Sequence, residues 1–248
     1  GDSDAMKNLK RLIARMERDE AADPLTDPSR LAELAASDDK DVRWAVAGNP
    51  TVKALTQEAK ESTDQSRLAE LAESPFQPVR RGVVENSNTP VEVLTRLAED
   101  SDSGVRRTVA GHPSMPVEVL ARLAEDSDSW VRRAVAGNSS TPEEALARIQ
   151  VTETRLKQAQ DQSTDPSRLT ELADSQDPSL QMLVAGNPSA PGAVLAQLAE
   201  YQESDLRLSV AGNPSAPVEV LARLAADSNG DVRRRALLNP ACPNEVRE

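Results

Sequence analysis

The chain has 248 residues, a formal net charge of −12, one cysteine and only four aromatic residues, Trp44, Phe76, Trp130 and Tyr201. The acidic balance excludes broad attraction to nucleic acid or anionic lipid, and the single Cys242 excludes an internal disulfide or a cysteine-clustered metal site. No apolar run reaches the ~20 residues that span a bilayer, and a core built of Ala, Leu and Val without aromatics is thin, which suits short helices in close rows.

Residues 1–25 predict an amphipathic capping helix with Met6, Leu9, Leu12, Ile13 and Met16 on one face. They hold no secretion signal, and with the cysteine usage this predicts a cytoplasmic protein. A first repeat block, 26–142, opens with TDPSRLAEL at 26–34 and closes its first unit in Trp44-Ala45-Val46-Ala47-Gly48-Asn49-Pro50. An extra helix near 52–61 interrupts it, and STDQSRLAEL at 62–71 starts it again. Residues 91–116 (VEVLTRLAEDSDSGVRRTVAGHPSMP) and 117–142 (VEVLARLAEDSDSWVRRAVAGNSSTP) are near copies with a 26-residue period. Residues 143–162 predict an irregular linker helix. A second block, 163–248, restarts with STDPSRLTEL and repeats the unit at 192–217 and 218–243. About seven copies occur, with two register breaks: Gly48 to Glu85 is 37 residues and Gly137 to Gly186 is 49. Asn244-Glu245-Val246-Arg247-Glu248 reads as the start of another first helix without a polar terminal cap, which leaves open that the chain is one segment of a larger protein.

Each unit encodes two short helices. The first is expected to open at a proline in its first helical position, capped by the preceding Thr at Thr89 and Thr141, and to bury Leu94, Leu97 and Ala98 or their equivalents. On its outer face Glu92–Arg96, Glu118–Arg122 and Glu219–Arg223 are spaced as i,i+4 ion pairs. An Asp/Ser turn then caps the second helix, which buries a valine pair such as Val105 with Val109. The second helix is expected to end at Gly-Asn-Pro through a left-handed glycine. Neither helix is stable alone at this length, so burial comes from the adjacent copy. The expected fold is an all-α repeat solenoid.

The unit PxEVLARLAxDxDxxVRRxVAGNPS resembles the leucine-rich repeat variant family, over roughly residues 27–243, and its D-x-x-V-R stretch is similar to HEAT-like repeats. The resemblance implies a right-handed superhelix of alternating α and 3₁₀ helices, without strands and without an established enzymatic activity. A founding type of the family carries an N-terminal iron–sulfur module; residues 1–30 hold no cysteine here, so no cluster is carried over and no cofactor is expected.

Two polar columns stand out. Immediately after the buried Val or Leu come Arg43, Arg80, Arg106, Arg132, Arg207 and Arg233, interrupted by Gln181, and these are expected to form a structural ladder with the acidic turns. The next column, about 200° from the buried valine at ~100° per residue, faces solvent. It reads Trp44, Arg81, Arg107, Arg133, Met182, Leu208 and Arg234, residue types enriched at interface centres. Trp130 adds a large aromatic where other copies have Gly104, Asp205 and Asp231.

Catalytic and metal readings find no support in the residues. His112, the single histidine, replaces the Asn of the helix terminator, and no nucleophile or second base is placed beside it. Cys242 stands where other copies have Ser or Ala. The acidic turns lack the spacing and the bidentate Glu of a calcium loop, and helix capping explains them. The expected function is a non-enzymatic scaffold that binds a protein or peptide, with an acidic segment as the suited partner. The alternative is phosphate-backbone binding through the arginine columns, without membrane association. High Arg over Lys and abundant Ala point to a GC-rich bacterial source.

Overall fold

The computed structural model describes residues 2–175 and 177–247, so Gly1 of the expected N-terminal helix and Glu248 of the C-terminal segment lie outside the described residues. Every regular element is α-helical. The first unit holds α1 (Asp2–Ala22), α2 (Pro28–Ala35), α3 (Lys40–Gly48), α4 (Pro50–Glu61), α5 (Gln65–Leu71), α6 (Gln77–Glu85), α7 (Val91–Leu97), α8 (Ser103–Ala110), α9 (Val117–Leu123) and α10 (Ser129–Gly137). Helix α11 (Glu143–Gln160) begins in this unit and ends in the next, the division falling between Ile149 and Gln150. The second unit continues with α12 (Pro166–Ala173), α13 (Pro178–Gly186), α14 (Gly192–Leu198), α15 (Ser204–Gly212), α16 (Val218–Leu224), α17 (Gly230–Leu238) and α18 (Asn244–Arg247).

Within each unit the second helices of consecutive repeats pack side by side: α6 on α8 and α8 on α10 in the first, α13 on α15 and α15 on α17 in the second. The valine pairs supply the seam. Val79 and Val83, Val105 and Val109, and Val131 and Val135 are fully buried, as are Leu94, Leu97, Leu120 and Leu123 from the first helices. Each such side chain contributes about 1.5–3 kcal/mol, and none of it is available to an isolated repeat. Neighbouring copies therefore share one core in each unit, and the solenoid reading holds.

Several local expectations are corrected. Pro90, Pro116, Pro191 and Pro217 are cap residues with extended backbone, one place before the helix, rather than its first residue. The Thr89 and Thr141 hydroxyls do not cap the following helix; they donate to the carbonyls of Val83 and Val135 at the end of the preceding one. The arginines of α7, α9 and α16 do not pair at i,i+4. Arg96 reaches Glu73, Arg122 reaches Glu99 and Arg223 reaches Glu200, all one repeat back. A glutamate on the adjacent helix end suits the long arginine better than Glu92, but these pairs are exposed and each contributes little. No 3₁₀ helix occurs among the described residues; i→i+3 bonds occur at helix ends, such as Asn138 N to Val135 O, and in the turns, such as Thr89 N to Asn86 O.

The helix terminator also works differently. No described residue has a positive φ. Gly48, Gly137, Gly186 and Gly212 stay inside their helices, and the following asparagine turns extended. What the asparagine does is longer-ranged. Asn138 Nδ2 donates to the carbonyls of Ala110 and His112, 28 and 26 residues back, while its Oδ1 accepts from Ser140 N. Asn49, Asn187, Asn213 and Asn239 repeat this clamp on Ala21/Asp23, Ala159/Asp161, Ala185/Asn187 and Ala211/Asn213. Asn86 does so on Ala59 and Ser62. Each clamp satisfies orphan carbonyls at the end of the helix one unit back.

The clamp explains the register breaks. The carbonyls of Ala21, Ala59 and Ala159 belong to the C-terminal ends of α1, α4 and α11, so these long helices take the place of a second helix in the stack. α1 packs on α3 and α4 on α6, as α8 packs on α10. The arginine of each restart motif grips the same helix: Arg30 bonds Glu20, Arg67 bonds Glu58 and Arg168 bonds Gln158. Against α4 the packing is tight at Gly82, where a Cβ would lie 2.9 Å from the Thr56 carbonyl oxygen and 3.1 Å from Ala59 Cβ. Helix α1 buries Ala21 but leaves Met6, Leu9, Leu12, Ile13 and Met16 exposed.

Candidate partner-binding surface

The N-terminus of each second helix positions the polar columns. Asp102, Asp128 and Asn229 cap α8, α10 and α17 by accepting from backbone N–H groups of the first turn, and the arginine at the fourth residue of the helix reaches back over the acidic loop. There Arg106 donates Nε and Nη2 to both oxygens of Asp126, at 2.7 and 3.0 Å, and Nη1 to the Asp100 and Ser101 carbonyls. Arg80 treats Asp100 and the Ser74 carbonyl in the same way, and Arg207 does so with Asp227 and the Tyr201 and Gln202 carbonyls. The carboxylate always lies twenty residues on, in the next repeat's turn, so one guanidinium ties two turns together. These are forked, charge-assisted bonds in a largely water-excluded setting. Burial tends to raise the Asp126 carboxyl, but the Arg106 bonds and the Asp128 N–H outweigh it and hold Asp126 below the usual carboxylate range. Asp227 is held low by Arg207 first.

The column changes where the register does. Arg43 donates to the Ser37 carbonyl, and the residue twenty on is Thr63, not an aspartate. Arg132 and Arg233 donate to the carbonyls of their own turns, Asp126/Ser127 and Asp227/Ser228. At Gln181 the pair is exchanged as a whole: Gln181 Nε2 donates to the Ser175 carbonyl and to the Tyr201 hydroxyl at 3.1 Å, Tyr201 standing where the aspartate would be. Sequence reasoning registered Gln181 as an interruption and missed its partner. The signal was there, twenty residues on.

The outward column divides by unit. In the first, Trp44 is 82% exposed, Arg107 and Arg133 are exposed, and Arg81 is half-buried with a loose 3.6 Å contact to Glu85. The Arg133 guanidinium lies 5.1 Å from the centre of the Trp130 ring, a cation–π contact that leaves Trp130 58% exposed. In the second unit Met182 and Leu208 are half-buried and pack against the core, whereas Arg234 is exposed and bonds Asp231. His112 sits at a clamp position. Its Nδ1 accepts from Ser114 N as an asparagine oxygen does, and burial pushes its pKa down. Cys242 is a buried free thiol. Among the described residues no group of three or more His, Cys, Asp or Glu side chains could hold a metal ion, and no helix is long and apolar enough to cross a membrane.

The leucine-rich repeat variant model matches residues 79–102, 104–128 and 205–229. The chain carries leucine-rich repeat variant units. The matched segments run from a second helix through the following first helix and acidic turn, so each contains a ladder arginine of this chain together with its aspartate. Among solved structures, a leucine-rich repeat variant with a novel repetitive structural motif is 26% identical over 86% of this chain and 85% of that one, with a TM-score of 0.31. A designed armadillo repeat protein is 14% identical over 85% of this chain and 97% of that one (TM-score 0.25). Computationally designed armadillo repeat proteins for modular peptide recognition are 12% identical over 88% and 100% (TM-score 0.25). No curated protein matches the chain.

Proposed function

We propose that this chain is a non-enzymatic scaffold that holds a partner protein on the solvent face of its second helices. The observation that carries the reading is a division of labour between the two arginine columns. The inner arginines Arg80, Arg106 and Arg207 are tied to aspartates and turn carbonyls. The outer face presents Arg107, Arg133, Trp44 and Trp130 to solvent, two of the chain's four aromatics among them. Exposed tryptophan beside arginine is the composition of an interface centre. Within the second unit Arg234 and the uncovered edges of Met182 and Leu208 occupy the corresponding column. A phosphate backbone, by contrast, would have to draw the inner column away from its carboxylates. A buried free Cys242 suits a reducing, cytoplasmic setting.

The test is affinity capture with mass spectrometry, comparing the wild type with Arg107→Glu/Arg133→Glu. Both positions are exposed, so circular-dichroism melting should be unchanged while the partner is lost. A double variant that captures the same partner at the same yield would reject the reading. Salt-sensitive retardation of nucleic acid would replace it.

A further inference from the structure

We infer that the first register break forms a docking groove for an acidic peptide segment that carries one large apolar side chain. The proposal rests on the scaffold reading and assigns it a second contact point, which shares Trp44 with the outer face but not Arg107 or Arg133. A groove of about 740 Å³ lies between α3 and α6, with Lys40, Arg43 and Trp44 on one wall and Phe76, Arg80 and Arg81 on the other. Its origin is the substitution of the single helix α4 for a helix–turn–helix unit. That substitution omits an acidic turn, and no α4 residue lines the groove. Arg43 is the ladder arginine that loses its carboxylate as a result, Thr63 standing in the place occupied elsewhere by Asp100, Asp126 and Asp227.

The charges follow the same logic. Four cationic side chains line the groove against one carboxylate, Asp102, which is already engaged in capping α8. Arg80 is neutralised by Asp100. Arg43 and Lys40 have no carboxylate within ion-pair distance among the described residues; Asp38, Asp39 and Asp41 flank them in sequence but do not line the groove. Arg81 holds only the 3.6 Å contact to Glu85, and its buried Nε has no hydrogen-bond acceptor. In a chain of net charge −12 this is a local excess of positive charge around the most exposed of its aromatic rings. The chain shows what satisfies such an arginine, a carboxylate accepting both Nε and Nη2. An incoming Asp or Glu therefore completes the ladder at Arg43, a second acid meets Arg81 or Lys40, and an apolar side chain covers Trp44.

The test pans a random dodecapeptide phage library against the full chain. Selected peptides are then titrated into the Trp130→Phe variant, where Trp44 is the one remaining tryptophan. The expected peptides are rich in Asp and Glu with one large apolar residue, and they shift Trp44 emission to the blue. Binding should weaken at least about tenfold in Arg43→Gln/Arg81→Gln and at about 0.5 M salt, with unchanged melting, and should be unaffected by Arg107→Glu/Arg133→Glu. Basic or uncharged selected sequences, no selected sequence at all, or equal affinity for Arg43→Gln/Arg81→Gln would overturn the groove. Because the partner-capture test uses Arg107 and Arg133, either result can fail while the other stands.

Discussion

Replacing His112 by Asn should stabilise the first unit. Six asparagines clamp the helix one unit back, each through two donated bonds and one accepted bond, and His112 occupies the seventh such position. It keeps the accepted bond, from Ser114 N, but its ring makes no bond to the Val84 or Asn86 carbonyls, which lie 28 and 26 residues back in the clamp pattern. Restoring two neutral hydrogen bonds at about 0.5–1.5 kcal/mol each predicts a gain of about 1–3 kcal/mol. Urea unfolding followed by circular dichroism reports the total, and native-state hydrogen exchange at the α6–α8 joint reports where it arises. The pH dependence gives a second check. Burial holds the folded His112 pKa below its ordinary 6.5, so the unfolded chain binds more protons just below that pH. The wild type should lose stability as pH falls through 6.5 towards the lower folded value, and His112→Asn should lose less. A substitution that leaves both stability and exchange unchanged, or lowers stability, would show that the clamp carries no energy.

Asp126→Asn leaves the Arg106 guanidinium in a mostly water-excluded site without its carboxylate, and should cost about 2–3 kcal/mol in urea unfolding. Asp126 and Asp227 are both held below the usual carboxylate range, so the ladder's contribution is present above about pH 4 and is lost on further acidification, which acid titration of the melting curve detects. Gly82→Ala places a methyl group against Thr56 and Ala59 and should cost about 1–3 kcal/mol, whereas Ala134→Gly at the equivalent place in α10 should cost about 1–2 kcal/mol, for lost helix propensity and for the contacts of a partly buried methyl. Gln181→Arg and Tyr201→Asp should each destabilise the second unit, and the double variant should recover through a coupling of about 1–3 kcal/mol, measured as a double-mutant cycle.

Much of the fold is legible in the residues, because periodic burial is a local code. Val105 with Val109 and Leu120 with Leu123 declare their faces without reference to the rest of the chain. The arginine column is equally plain, and so are the acidic turns as its partners; that the carboxylate comes from the next repeat's turn, twenty residues on, is set only by the geometry of the turn. The role of the asparagine is hidden for a related reason. A Gly-Asn-Pro run suggests a left-handed glycine stop, while the amide acts on carbonyls a full repeat back, a distance that the 26-residue period itself contains. Arg96 paired with Glu73 rather than Glu92 because inter-repeat spacing competes with helical spacing. Of the candidate surface, the outward column could be written down from the period. The groove at Arg43 could not, because it depends on a single helix standing in for two.

The asparagine clamps make cohesion between repeats a series of like fasteners, nearly all spanning the same stretch of chain. Such a series gives way at its weakest member. The joint held by His112 is the one fastened by a different side chain, so a pull on the first unit should open α6 from α8 before it parts α8 from α10. The order in which repeats come undone under load is thereby set by one histidine.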